Sequence, residues 1–310
     1  MSDDAVSAFD RSTLRRRFGR AARGYEAAAA LQKEVEARLL EQVDYLDDRQ
    51  PRRILDLGCG PGRASAYLKQ RYPKAEVIAF DAAIGMLKEA KKKASWWRPF
   101  RRVCGDARAL PFADGAFDLV FSSLCLQWVE DLPAALAEVR RVLAPRGLFL
   151  MSTFGPETLR ELREAFAEAD GEASHVSRFA HIQQVGDAFV RAGFRDPVLD
   201  LDGFTLLYAD VPALMHELRA IGATHATADR RRTLTGKARM QAAIAAYERL
   251  RRDDGLPSHW EVIYAQAWGP EPGAPRRGGG DGEIAAVPLS AIPIRRRTPP
   301  ASPGDGGAGA

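Results

Sequence analysis

Gly58, Gly60 and Gly62 alternate through Ile54-Leu55-Asp56-Leu57-Gly58-Cys59-Gly60-Pro61-Gly62, a strand-forming run that opens into a helix pattern. Glycines at such a turn tolerate a left-handed backbone and let a ligand approach the main chain closely. The spacing is Gly-x-Gly-x-Gly. Arg63 stands where the Gly-x-Gly-x-x-Gly of dinucleotide binders has its third glycine, so pyrophosphate packing of that kind is not expected. By itself the turn points only to some nucleotide-like ligand. Two acids add to it. Asp81 closes the next apolar run, where a carboxylate can accept both hydroxyls of a ribose; it also reads as the cap of the helix that follows. Asp106, in Gly105-Asp106-Ala107, closes the third and can accept an adenine amino group, or serve as a turn residue. Glycine, acid and acid at three successive strand ends are harder to obtain by chance than any one of them.

These residues need elements to hold them. Apolar strands are expected at Arg53–Leu57, Glu76–Phe80, Arg101–Cys104, Phe117–Ser122 and Leu148–Phe154. Amphipathic helices are expected between them at Arg63–Arg71, Ile84–Lys93 and Leu132–Val142. Strand and helix in alternation give a mostly parallel sheet with helices on both faces, the α/β class, and ligands of such sheets sit at the carboxyl ends of the strands. After Phe154 the alternation stops. Glu157–Ala167, Ile182–Ala192, Val211–Ile221 and Lys237–Arg252 read as helices, and Pro197–Tyr208 and His259–Trp268 as further strands. Some of these helices should form a lid over the open end of the sheet. A helix from about Ala21 to Gln42 should fold over the same opening. The expected division is therefore an N-terminal helical segment over residues 1–50, a core over 51–155, and a lid with the last strands over 156–270. The Gly- and Pro-rich stretch 271–310 has too few large apolar residues to offset its ordering entropy and is expected to be disordered.

The composition of the 310 residues, 46% hydrophobic and 28% charged, is that of a globular protein. No apolar run approaches the ~20 residues of a membrane span, and the acidic, arginine-rich start has no signal-peptide core. Cys59, Cys104 and Cys125 lack metal-site spacing and read as reduced, buried thiols of a cytoplasmic protein. A net charge of +4 is not in itself a nucleic-acid signature. A monomer without metal, membrane or nucleic-acid partner is expected.

The series of glycine turn, Asp81 and Asp106, continued by Leu110-Pro111-Phe112-Ala113-Asp114-Gly115-Ala116-Phe117-Asp118-Leu119-Val120, resembles the class I methyltransferases that use S-adenosylmethionine. That resemblance implies a Rossmann-like seven-stranded sheet and a cofactor site of Asp56, Gly58, Gly60, Gly62, Asp81, Asp106, Ala107 and Ser123. Within the resemblance Phe117 and Asp118 are structural. The chain departs from the pattern at Pro145-Arg146-Gly147, often Pro-Gly-Gly, and at Ala82, where a serine often follows the acid.

Further segments narrow the likeness. Phe18-Gly19-Arg20-Ala21-Ala22 with Tyr25-Glu26 and Leu31-Gln32 precede the first strand, and Leu124-Cys125-Leu126-Gln127-Trp128 follows the fourth. Then come His175-Val176-Ser177-Arg178-Phe179, Leu218-Arg219-Ala220-Ile221-Gly222-Ala223-Thr224-His225, and Leu234-Thr235. From about Phe9 to Pro270 the chain is similar to the malonyl-[acyl-carrier protein] O-methyltransferases of biotin synthesis. That family esterifies the free carboxylate of a malonyl thioester, carried on acyl carrier protein or coenzyme A. An ionised carboxylate is already a nucleophile and needs no general base, so the lack of an acid–base dyad is consistent. On this reading Tyr25, Gln127 and Trp128 position the reactants, although Tyr25 also suits an ordinary helix contact and Trp128 a core site. Arg178 can fork onto the substrate carboxylate or form a surface ion pair. His175 and His225 are weaker substrate candidates. Arg230–Arg232 and Arg249, Arg251, Arg252 suit an acidic carrier, or are simply solvated. The rival readings are a related enzyme modifying protein arginines and a non-catalytic adenosylmethionine-binding assembly factor.

Overall fold

The computed structural model describes residues 10–46, 49–129, 131–171, 176–223 and 236–271. Three short helices lead in: α1 (Arg11–Ala21), whose first turn is capped by the Asp10 carboxylate on the Thr13 N–H, α2 (Tyr25–Ala28) and α3 (Ala30–Glu41). The core follows as β1 (Arg53–Leu57), α4 (Arg63–Arg71), β2 (Glu76–Asp81), α5 (Ile84–Lys93), β3 (Arg101–Cys104), β4 (Phe117–Ser123), α6 (Leu132–Val142) and β5 (Leu143–Phe154). The remainder is α7 (Arg160–Asp170), α8 (Ile182–Ala192), β6 (Arg195–Tyr208), α9 (Val211–Ala220), α10 (Lys237–Glu248) and β7 (Leu256–Trp268).

The seven strands form one sheet in the order β3-β2-β1-β4-β5-β7-β6. Pairing is parallel from β3 across to β5, while β7 runs antiparallel to both β5 and β6. Strand order reverses at β1, which lies between β2 and β4, so the crevice for a ligand opens at its carboxyl end.

The continuous apolar runs of the central strands have a simple cause, since both faces are covered. Ile54, Val77, Ala79, Leu119, Phe121, Leu148 and Leu150 face a core shared with α3, α7, α9 and α10. Leu55, Leu57, Ile78, Phe80, Val120, Phe149 and Met151 face the other, shared with α6 and α8. There Phe149 stacks on Phe189 and Phe194. Thus Ile182–Ala192 covers the sheet beside α6, sharing the core opposite to that of α7, α9 and α10. Asp118 is structural as expected: its carboxylate accepts the Arg52 and Arg53 N–H groups at 2.7 and 3.0 Å, fixing the entry to β1.

The N-terminal stretch differs from the single helix expected between Ala21 and Gln42. Gly24 at the start of α2 and the non-helical Ala29 break it into short pieces. The breaks let α1 cross α5 while α3 packs on the sheet. Gly85 makes the crossing possible, because a β-carbon there would lie 2.5 Å from the Gly19 carbonyl oxygen. Cys59 is buried as expected, but Cys104 is exposed, because β3 is an edge strand, and Cys125 is half-buried.

Candidate active site

A cavity sits at the carboxyl ends of β1, β2, β3 and β4, with α1 and α2 across it. Its lining includes Gly58, Gly60, Asp81, Asp106, Ala107, Ser123, Gln127, Trp128 and Tyr25. The structure therefore gathers nine of the residues singled out from sequence around one opening.

The glycine turn is left-handed at each alternate position, with φ of +76° at Gly58, +51° at Gly60 and +80° at Gly62. The three glycines answer different needs. A side chain on Gly58 would collide with Cys125, and one on Gly62 would lie 2.7 Å from the Ala90 side chain on α5. At Gly60 an added β-carbon meets nothing within 4 Å, which is the open space a ligand would take. Gly62 thus holds α4 against α5 and does not line the cavity. Asp56 does not line it either. It is 2% exposed and accepts the Ser65 hydroxyl, and burial pushes its carboxyl up to about 7 despite that bond. Its position ties β1 to α4 beneath the loop.

Asp81 accepts the Gly60 N–H at 3.0 Å with one oxygen and the Ala83 N–H at 2.7 Å with the other. Burial raises its carboxyl to about 6, with these two bonds pulling against the shift. Each oxygen keeps a further lone pair. Asp106 is held differently. Arg108 forks onto it at 3.0 and 2.7 Å, and Arg15 and Arg11 of α1 stand 3.5 and 3.8 Å away. The Arg108 bond holds this carboxyl down at about 2. Both oxygens are engaged by arginine, so Asp106 anchors the rim and the first turns of α1. The sequence reading missed Arg11, Arg15 and Arg108, since one arginine among many carries no positional signal.

Tyr25 sits over the cavity floor, and burial, with Glu36, Asp81 and Cys125 adding, raises its hydroxyl well above the usual phenol range. It remains a neutral donor. Cys125 lies on the same wall, its thiol pushed up to about 12 chiefly by burial and then by Asp81, which removes it as a nucleophile near neutrality. Ser123 contributes lining, its hydroxyl 3.2 Å from that of Ser152. Gln127 donates to the Leu124 carbonyl at 2.8 Å, leaving its own amide oxygen buried without a donor among the described residues. The Gln32 amide oxygen on α3 is in the same state and lines the same cavity. Glu36, one turn on, meets Arg63 at 3.1 Å.

Trp128, Phe154 and Ala223 also line a second cavity, roofed by α7, α9 and α10. It is mostly apolar, with Leu159, Leu162, Phe166, Phe179 and Trp260 in its wall. Trp128 stands between the two, its ring edge-on to Phe18 at 5.6 Å and to Phe179 at 6.3 Å. Arg178 is exposed and lines neither cavity, while its neighbours Val176, Ser177 and Phe179 line the second. His175, His225 and Arg230–Arg232 lie outside the described residues. Of the other basic cluster, Arg249 pairs with Glu168 and Arg251 with Glu248. Among the described residues no group of His, Cys, Asp and Glu could hold a metal ion, and no helix is long and apolar enough to cross a membrane.

Comparison with known proteins agrees with this geometry. Residues 55–151 match the family described as "Methyltransferase domain". The YcgJ protein of Bacillus subtilis has the same fold, with a TM-score of 0.54 at 20% identity over 75% of this chain and 98% of that one. A malonyl-[acyl-carrier protein] O-methyltransferase of Xylella fastidiosa is 56% identical over 93% of this chain and 98% of its own length. One from Gallionella capsiferriformans is 46% identical over 87% and 94%. Fold and site define a class I α/β methyltransferase. More narrowly, the chain belongs to the malonyl-[acyl-carrier protein] O-methyltransferase family.

Proposed function

We propose that this chain transfers a methyl group from S-adenosylmethionine to the free carboxylate of a malonyl thioester on acyl carrier protein, the esterification that serves biotin synthesis. The observation that carries the reading is the 56% identity over 93% of the chain to a relative of that name. Two cavities that share Trp128, Phe154 and Ala223 in their walls give it a physical form.

The first cavity fits the methyl donor. Asp81 has lone pairs for two ribose hydroxyls, and Gly60 leaves room beside them. Gln32 and Gln127 present buried amide oxygens in need of donors, which a ligand ammonium group can supply. Bound there, S-adenosylmethionine supplies an electrophilic methyl on a positively charged sulfur.

What the protein must then do is orient, not activate. A malonyl carboxylate is ionised at neutral pH, so no base need take a proton from it. Trp128 and Phe154, common to both cavities, mark where acceptor and donor meet. Their rings, with Tyr25 above, exclude water and hold the reactants in line, and alignment of this kind is worth several kcal/mol of barrier, on the order of 7 in favourable cases. Helices α1 and α2 act as the cover of the donor site, and α7, α9 and α10 act as a lid over the acyl site. The test is mass spectrometry of malonyl-acyl-carrier protein incubated with the chain and S-adenosylmethionine. A gain of one methylene on the malonyl form, and none on an acetyl-loaded carrier, is expected. No gain on either would reject the proposal.

A further inference from the structure

The second cavity poses an electrostatic problem. A carboxylate brought into an apolar wall is strongly disfavoured unless a cation or several donors receive it. The arginines around α7, α9 and α10 can be taken in turn. Arg163 donates to the Pro156 and Thr158 carbonyls at 2.6 and 3.4 Å. Arg239 pairs with Asp170 at 3.1 Å, and Arg160 with Glu157 at 2.9 Å. Arg219, near the end of α9, differs from these. It is exposed like Arg178 but, unlike that residue, lines the cavity, and no acid among the described residues pairs with it.

A second, independent observation lies across the chamber. Trp260 on β7 is 2% exposed and lines the same cavity, and its indole N–H has no acceptor among the described residues. A buried donor without an acceptor is costly, so its retention calls for a partner. The Thr158 hydroxyl is held on the backbone of Glu261, accepting its N–H at 3.1 Å and donating to its carbonyl at 2.9 Å, and it takes no bond from the indole. Guanidinium and indole are both donors and never acceptors. A ligand that satisfies them must bring acceptor oxygens and negative charge.

We propose that Arg219 holds the anionic group of the acyl ligand in the second cavity, with the Trp260 indole N–H as a second donor to the same ligand. The inference rests on the malonyl-thioester reading and names the residues by which that substrate is held. It also moves the anion contact away from Arg178, which lines neither cavity. The ligand offers anionic oxygens from two sources, the malonyl carboxylate and the phosphate of the pantetheine arm.

Binding can be measured by calorimetry on the full chain saturated with S-adenosylhomocysteine, so that no turnover intervenes. Malonyl-pantetheine carries only the carboxylate, and acetyl-phosphopantetheine only the phosphate. Arg219→Gln is expected to weaken at least one of the two about tenfold or more, and the one affected identifies the source. Trp260→Phe, which keeps the ring and removes the N–H, should weaken the same ligand severalfold. Affinity for S-adenosylhomocysteine should stay unchanged in both, and Arg178→Gln should match the parent. Unaltered affinities in Arg219→Gln, or a loss confined to Arg178→Gln, would overturn the assignment. So would a parent chain that binds neither ligand. Methyl transfer to malonyl-carrier protein, run alongside, separates the two ideas: turnover with Arg219→Gln binding normally removes this inference and leaves the proposed reaction standing.

Discussion

The Gly60 N–H donates to the Asp81 carboxylate across 3.0 Å, joining the loop after β1 to the carboxyl end of β2. One side chain thereby shapes the turn and offers its remaining lone pairs to a ligand. Asp106 closes the neighbouring strand but gives its oxygens to Arg108, with Arg11 and Arg15 close by.

From this contrast the two acids should differ on substitution. Asp81→Asn should weaken S-adenosylmethionine binding by about 10- to 100-fold, the range for losing hydrogen bonds to a charged acceptor. Asp106→Asn should cost about threefold or less, and should mainly loosen α1, seen as faster proteolysis near residue 11. Isothermal titration of both variants decides the point, and equal losses would refute the distinction.

The raised carboxyl of Asp81 makes cofactor binding depend on pH. With the ligand absent it titrates near 6, and ligand hydroxyls favour the ionised form to which they donate. Below that pH a proton must leave before the ligand binds, so affinity should fall by up to about tenfold per unit as pH drops from 6 to 5. Above about 7 this contribution should be flat. Asp81→Asn should abolish the step, and a parent profile identical to the variant's would count against it.

Gly60 and Gly62 should separate stability from binding. Gly62→Ala combines a left-handed alanine with a clash against Ala90, and should lower stability by about 2–4 kcal/mol in denaturant unfolding. Gly60→Ala meets no protein atom and should cost about 1 kcal/mol for its backbone alone. Its methyl would enter the space of the ligand, so it should show the larger loss in cofactor affinity.

Trp128 stands, with Phe154 and Ala223, in the wall common to the two cavities. Trp128→Ala should lower kcat/KM for malonyl-carrier protein by about 100-fold through lost alignment, while S-adenosylmethionine affinity changes only a few-fold. The half-buried ring should cost about 2 kcal/mol of stability. Parallel losses in cofactor binding and turnover would assign Trp128 to the donor site alone.

The central elements were legible in the residues because local physics decides them. Arg63–Arg71, Ile84–Lys93 and Leu132–Val142 occupy the helices their periodicity implies, and Arg53–Leu57 and Arg101–Cys104 the strands. A glycine turn after a buried strand, followed by acids at the next two strand ends, needs only the parallel order of the sheet to become a site, and α/β alternation supplies that order. The fate of each side chain was not local. Asp81 and Asp106 look alike along the chain, and only the approach of Arg108 and α1 distinguishes them. Gly62 and Gly60 carry the same spacing signal, yet one faces Ala90 and the other open space. Arg178 and Arg219 are two arginines among many until the packing of α7, α9 and α10 turns one of them to a cavity. The sequence by itself determined the sheet, its helices and the loop that receives a ligand, because hydrophobic period and glycine conformation act within a few residues. Tertiary structure decided which charges were already neutralised and which were left for a ligand, because that depends on neighbours brought together from distant parts of the chain.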